Sequence, residues 1–154
     1  MKMKHIFSKH FILIICLCFS AILGAQNDQN QQKGIAVKGY DVVAYFSKNA
    51  TKGNTTYQLK YKDLIYRFSS ETNKNLFHSN PSKYVPEYGG WCAYAMGKDG
   101  SKVDIDPETY EIRNGKLHLF YNKFGTNTLD LWIHEGADKL KANADLNWKQ
   151  LSKK

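Results

Sequence analysis

Asn114-Gly115 sits between two β-forming runs, Thr109–Arg113 and Lys116–Tyr121. Both residues of that dipeptide tolerate positive φ, which a two-residue type I′ turn demands, so the segment predicts an antiparallel hairpin. Its second strand alternates, with Leu117 and Leu119 on one side and His118 and Phe120 on the other. A second hairpin is predicted upstream. Thr56–Tyr61 and Leu64–Phe68 are aromatic and β-rich, and only Lys62-Asp63 separates them. With 42% hydrophobic and 14% aromatic residues the 154-residue chain can build one core, which excludes the disordered and fibrous classes and a large multidomain enzyme.

Helical signals fill the intervals. Asp41 is placed as an N-cap for a short helix over Val42–Phe46. Ser69-Ser70 offers a cap for a helix from Glu71 to about Ser79, with Leu76 and Phe77 on its apolar face and Pro81 closing it. Tyr84–Gly90 reads as an irregular crossing. Trp91–Met96 is the densest apolar run after residue 25, followed by a turn at Gly97–Gly100. Thr128 to about Asn143 reads as one long helix, with Leu129, Trp132, Ile133, Leu140 and Ala144 along a face and Asp145–Trp148 as a docking tail. The expected architecture is a small α+β domain of two hairpins, a short central helix and a C-terminal helix.

The N-terminus reads as an address. Lys2, Lys4 and Lys9 precede the unbroken apolar run Phe11–Phe19, and small residues close the segment at Ala25. These are the three parts of a secretory signal peptide, and the run is short of the roughly 20 residues of a spanning helix. The expectation is an exported chain, periplasmic or secreted, with no membrane span once residues 1–25 are removed. Gln26–Lys33 holds no apolar residue and reads as a disordered leader, so the folded unit is expected over residues 34–150.

Without residues 1–25 the 22 Lys and Arg fall to 19 against 14 acids, a net charge of about +5 with no cationic run. Nucleic-acid binding has little support. The three cysteines fall to Cys92 alone, so no internal disulfide is possible. A lone thiol between Trp91 and Ala93, directly after Gly89-Gly90, admits three readings: buried and inert, metal ligand, or redox and covalent group. His78, His118 and His134 show no paired metal-ligand spacing. Asp41, beside Tyr40, is either a cap or a ligand oxygen. No nucleophile elbow, phosphate loop or dinucleotide fingerprint is present.

The segments Gly39-Tyr40-Asp41-Val42-Val43-Ala44-Tyr45-Phe46, Tyr66-Arg67-Phe68-Ser69-Ser70, Phe77 through Asn80-Pro81 to Lys83-Tyr84, and Tyr88-Gly89-Gly90-Trp91-Cys92-Ala93-Tyr94-Ala95 together resemble the YHS-domain family, in particular its exported bacterial members. The likeness covers about residues 34–150. It implies a small module that binds a transition metal ion, copper or zinc, or another small ligand. The cysteines of metal-binding relatives are replaced here at Val42–Ala44 and Ser69–Glu71. A metal site would therefore centre on Cys92 with His78 and His118 as partners, and Tyr40, Asp41 and Tyr45 are the candidate ligand-binding residues. Two other readings stand beside it. One is a thiol-dependent enzyme or redox protein using Cys92. The other is a protein-interaction domain in which Cys92 is core.

Overall fold

The computed structural model describes residues 28–153. The signal peptide expected over residues 1–25 lies outside the described residues, as do positions 26 and 27. Four strands make the larger sheet: β1 (Gln31–Gln32), β2 (Ile35–Ala36), β3 (Asn54–Tyr61) and β4 (Leu64–Phe68), in the order β1-β2-β4-β3. All neighbours are antiparallel except β2 and β4, which run parallel with Ile35 opposite Ile65. Lys62 and Asp63 both hold positive φ, at 46° and 66°, and close the predicted hairpin as a type I′ turn. Leu64, Tyr66 and Phe68 alternate inward from β4.

The Asn114-Gly115 hairpin forms as predicted between β5 (Asp106–Arg113) and β6 (Lys116–Phe120), with φ of 52° and 71° at the turn. A two-residue-stranded hairpin, β7 (Asn122–Lys123) with β8 (Thr126–Asn127), leads into the C-terminal helices. Helix α1 (Glu71–Ser79) starts at Ser70, whose Oγ accepts from the Asn73 amide at 3.1 Å. Its apolar face is narrower than expected. Phe77 is fully buried against Tyr61, Tyr66 and Phe68, whereas Leu76 is exposed. A single turn α2 (Pro81–Tyr84) follows, with Pro81 at its first position, where no amide is needed.

Three expectations are corrected. Residues 28–33 are not a free leader: the Asn30 amide donates to the Gly89 carbonyl at 2.8 Å, Trp91 Nε1 donates to the Asp28 carbonyl at 2.9 Å, and β1 pairs with β2. Their polar composition concealed bonds made by backbone. The long C-terminal helix is two helices, α4 (Thr128–Glu135) and α5 (Ala137–Leu151), because Gly136 at φ 102°, ψ 88° cannot continue either. Ile133 falls on the exposed side of α4, and Asp145–Trp148 lies inside α5 instead of forming a tail. The run at Trp91–Met96 opens helix α3 (Ala93–Asp99), in which Gly97 is a packing position and not the start of a turn.

Strand β6 separates two cores. Leu117 and Leu119 face Cys92 and the first hairpin, while Phe120 joins Tyr88, Met96, Trp132, Leu140 and Ala144. Both faces of β6 are therefore covered, as the alternation of Leu117 and Leu119 with His118 and Phe120 requires. Helices α3 and α5 meet closely at Gly97, where a Cβ would stand 2.5 Å from the Leu140 carbonyl oxygen. No helix among the described residues is long and apolar enough to cross a membrane.

Candidate functional site

Cys92 is fully buried at the N-terminal boundary of α3. Its Sγ lies 3.3 Å from Thr128 Oγ1, and that hydroxyl donates to the Tyr121 carbonyl at 2.8 Å. A hydroxyl has one proton to give. With the Thr128 proton committed to Tyr121, its oxygen is the acceptor in the contact with Cys92. The thiol itself lies inside the apolar cluster of the first core.

The other expected metal ligands stand elsewhere. His78 is exposed on α1. His118 is buried on the opposite face of β6 from Leu119, the neighbour of Cys92, and its ring lies between Tyr88 at 5.7 Å and Trp132 at 6.0 Å. Among the described residues no three His, Cys, Asp or Glu side chains gather as a metal-holding group. The residues expected to ligate copper or zinc do not fit such an ion. His118 Nδ1 is 3.2 Å from the Lys116 carbonyl and donates to it, while Nε2 has no partner. Burial depresses the imidazole pKa from 6.5 to about 4, so the ring is neutral at pH 7.

Asp41 is a structural hub. Its Oδ1 accepts from the amides of Val43 at 2.9 Å and Ala44 at 3.3 Å, bracing the turn into a 3-10 helix at Ala44–Ser47, which is later and shorter than the expected Val42–Phe46 helix and has Val43, not Asp41, at its N-cap position. Oδ2 takes the Ser69 amide at 2.8 Å, the Ser69 hydroxyl at 2.7 Å and the Asn73 side-chain amide at 2.7 Å. Five donors saturate the carboxylate and leave no lone pair for a ligand. It ties the opening segment to the end of β4 and to α1. The hydroxyls of Tyr40 and Tyr45 are likewise engaged, by Glu108 Oε1 at 2.8 Å and the Pro107 carbonyl at 2.6 Å. Burial raises the Tyr45 phenol pKa well above the usual range, which keeps it a donor. The two phenol protons and the Asp41 carboxylate are thus all committed within the protein.

Gly89-Gly90 admits the chain itself. A Cβ on Gly89, at φ 61°, would meet Trp148 Cη2 at 2.8 Å and the Asp28 carbonyl at 3.0 Å. Trp148 and the N-terminal arm thus occupy the close approach that the glycine pair allows.

That seat brings Trp148 to the edge of a cleft of about 270 Å³ between the turn of the first hairpin and the crossing at Val85–Gly89. Tyr61, Tyr66, Tyr88 and Trp148 supply aromatic walls, and Lys62 and Glu87 supply charge. The Tyr88 hydroxyl is bound to Asp145 Oδ1 at 2.8 Å. Tyr66 differs. Its ring is 3 % exposed, yet its hydroxyl has no protein partner among the described residues, so it opens on the cleft that the residue lines. Burial, with the Tyr61 phenol adding to it, raises the Tyr66 pKa, so the group presents a proton. The sequence signals Tyr66 only as an inward position of β4. Its meeting with Trp148, 82 positions later, has no local signature.

No family model, no curated protein and no solved structure matches the chain.

Proposed function

We propose that this chain is an exported, YHS-type binding module without catalytic machinery, and that its ligand enters the cleft walled by Tyr61, Tyr66, Tyr88 and Trp148. The observation that carries this reading is the buried Tyr66 at the cleft, whose hydroxyl makes no hydrogen bond among the described residues, whereas that of Tyr88, on the opposite wall, is held by Asp145. Aromatic walls with a few converging polar groups suit a small ring-bearing molecule with hydroxyl or carbonyl groups at its rim. The ring lies on Trp148 and Tyr61, and a rim oxygen accepts from Tyr66. The cleft's volume is close to the lower bound of small-molecule sites, roughly 300–1,000 Å³, which favours a single ring. The resemblance to exported YHS proteins supports export and a small-ligand role. The metal reading draws no support from the surroundings of Cys92.

The test is thermal stabilisation of the chain from residue 26 onward by a panel of hexoses and hydroxylated benzoic acids. Compounds that raise the melting temperature of the natural chain are expected to do so equally in Cys92→Ala. Their effect should disappear in Trp148→Ala and shrink in Tyr66→Phe, which deletes one hydrogen bond worth about 1 kcal/mol. Stabilisation that depends on Cys92 and ignores both cleft substitutions would overturn the reading.

A further inference from the structure

The chain has two arginines, and they are treated differently. Arg113 is paired: Glu111 holds it through both carboxylate oxygens at 2.9 Å, and Asp138 takes a third bond at 2.7 Å. Arg67, half-buried on β4, has no ion pair, and none of its N–H donors meets a protein acceptor among the described residues. Its Nε is shut off from solvent with no partner at all. A guanidinium brings five donors in a rigid fork, and leaving them unmatched in a half-buried place costs free energy that an incoming acceptor would recover.

Arg67 borders a second pocket, of about 290 Å³, lined otherwise by Gln32, Lys33, Ile35 and Lys38. Lys38 is anchored at the wall by Asp104 Oδ2 at 2.7 Å and the Ile105 carbonyl at 2.6 Å. Lys33 stands on the turn between β1 and β2 and makes no ion pair among the described residues. Three cations therefore surround one small space with a single acid, Asp104, behind them. That acid is itself shared between Lys38 and Lys123. The sheet builds the arrangement. The parallel pairing of β2 with β4 sets Ile35 against Ile65, so Arg67, two positions further along β4, comes beside Val37–Gly39, where its Cδ and Nη1 lie next to Gly39, and Lys33 reaches the pocket from the β1–β2 turn.

We propose that this pocket is an oxyanion site, selective for a small carboxylate or phosphate held by the Arg67 fork with Lys33 closing over it. Planar bidentate recognition is what a guanidinium offers and an ammonium does not. The site is separate from the aromatic cleft, shares none of its lining residues, and stands or falls independently of it.

Isothermal titration of the chain from residue 26 onward with inorganic phosphate, and separately with succinate, at low ionic strength tests it. One saturable site is expected with at least one of the two, and the preferred anion identifies which chemistry the fork selects. Arg67→Lys keeps the charge and the stem and should weaken that anion at least tenfold. Lys33→Gln, on an exposed turn where folding is not at stake, should weaken it about threefold, and Lys102→Gln should leave it unchanged. Failure of both anions to saturate below 10 mM, on the order of the weakest useful affinities, would overturn the proposal. So would binding that survives Arg67→Lys and Lys33→Gln unaltered.

Discussion

Lowering the pH should destabilise this protein through one residue, His118. The unfolded chain binds a proton there with a pKa near 6.5, whereas the buried ring does so only near 4. Lys141 nearby also opposes the imidazolium, Glu111 and Asp145 favour it, and desolvation outweighs them all. The sign follows from linkage. Above pH 6.5 the ring is neutral in both states and imposes no penalty. Between 6.5 and about 4 the unfolded state takes up a proton that the folded state refuses, and stability is lost as pH falls. The full interval corresponds to about 3 kcal/mol at about 1.4 kcal/mol per unit of pH. Urea unfolding followed by tryptophan fluorescence at pH 7, 5.5 and 4 reads this directly. With a urea dependence of roughly 1.5 kcal/mol/M, the midpoint should fall by about 2 M across the series from this residue alone. His118→Leu removes the titrating group and the orphaned Nε2 together. It should flatten the slope over this window while leaving the urea dependence unchanged. The carboxylates of Asp104 and Glu135, whose pKa values are held below 3.8 and 4.5 by Lys38 and Lys98 respectively, contribute only at the acid end of the range and are common to both proteins. An unaltered slope in the variant, or a His118 resonance titrating near 6.5 in the folded chain, would refute the reasoning.

Two further substitutions test the scaffold. Asp41→Asn turns one acceptor oxygen into a donor facing donors, and should cost about 2–3 kcal/mol in urea unfolding at pH 7. Gly97→Ala drives a Cβ to within 2.5 Å of the Leu140 carbonyl oxygen, and the forced separation of α3 from α5 should cost about 1–3 kcal/mol by the same assay. In the chain from residue 26 onward, the thiol of Cys92 should resist a disulfide-exchange reagent in the native state and react as a single group once that chain is unfolded.

The hairpins were legible because their determinants are local. A type I′ turn needs two residues that accept positive φ, and Asn114-Gly115 announces that; the flanking alternation fixes which side chains go inward. Lys62-Asp63 carries the same message more faintly, in its position between two β-rich runs. Ser70 was legible as a cap for the same reason. The break at Gly136 was present in the sequence as well, but a continuous apolar periodicity across it outweighed a single residue. The N-terminal arm was misread because composition says nothing of backbone bonds, and Asn30 and Asp28 are held by their main chain. The chemistry-bearing residues were the hardest. Asp41, Gly89 and Cys92 stand in the motifs that suggested a ligand site, yet each serves packing: a cross-link, a seat for Trp148 and a core thiol. The cleft depends instead on Tyr66 and Trp148, which only the tertiary fold unites.

Amide chemical-shift mapping of the isotope-labelled chain from residue 26 onward addresses the central claim most directly, with Zn(II) added to one sample and the most stabilising panel compound to another. The compound should displace signals at Tyr61–Tyr66, Val85–Gly89 and Trp148, and Zn(II) should leave Trp91–Ala93 and Thr128 where they are. Zinc-dependent shifts centred on Cys92 and Thr128, with the cleft silent to every compound, would contradict the account and return the function to the thiol.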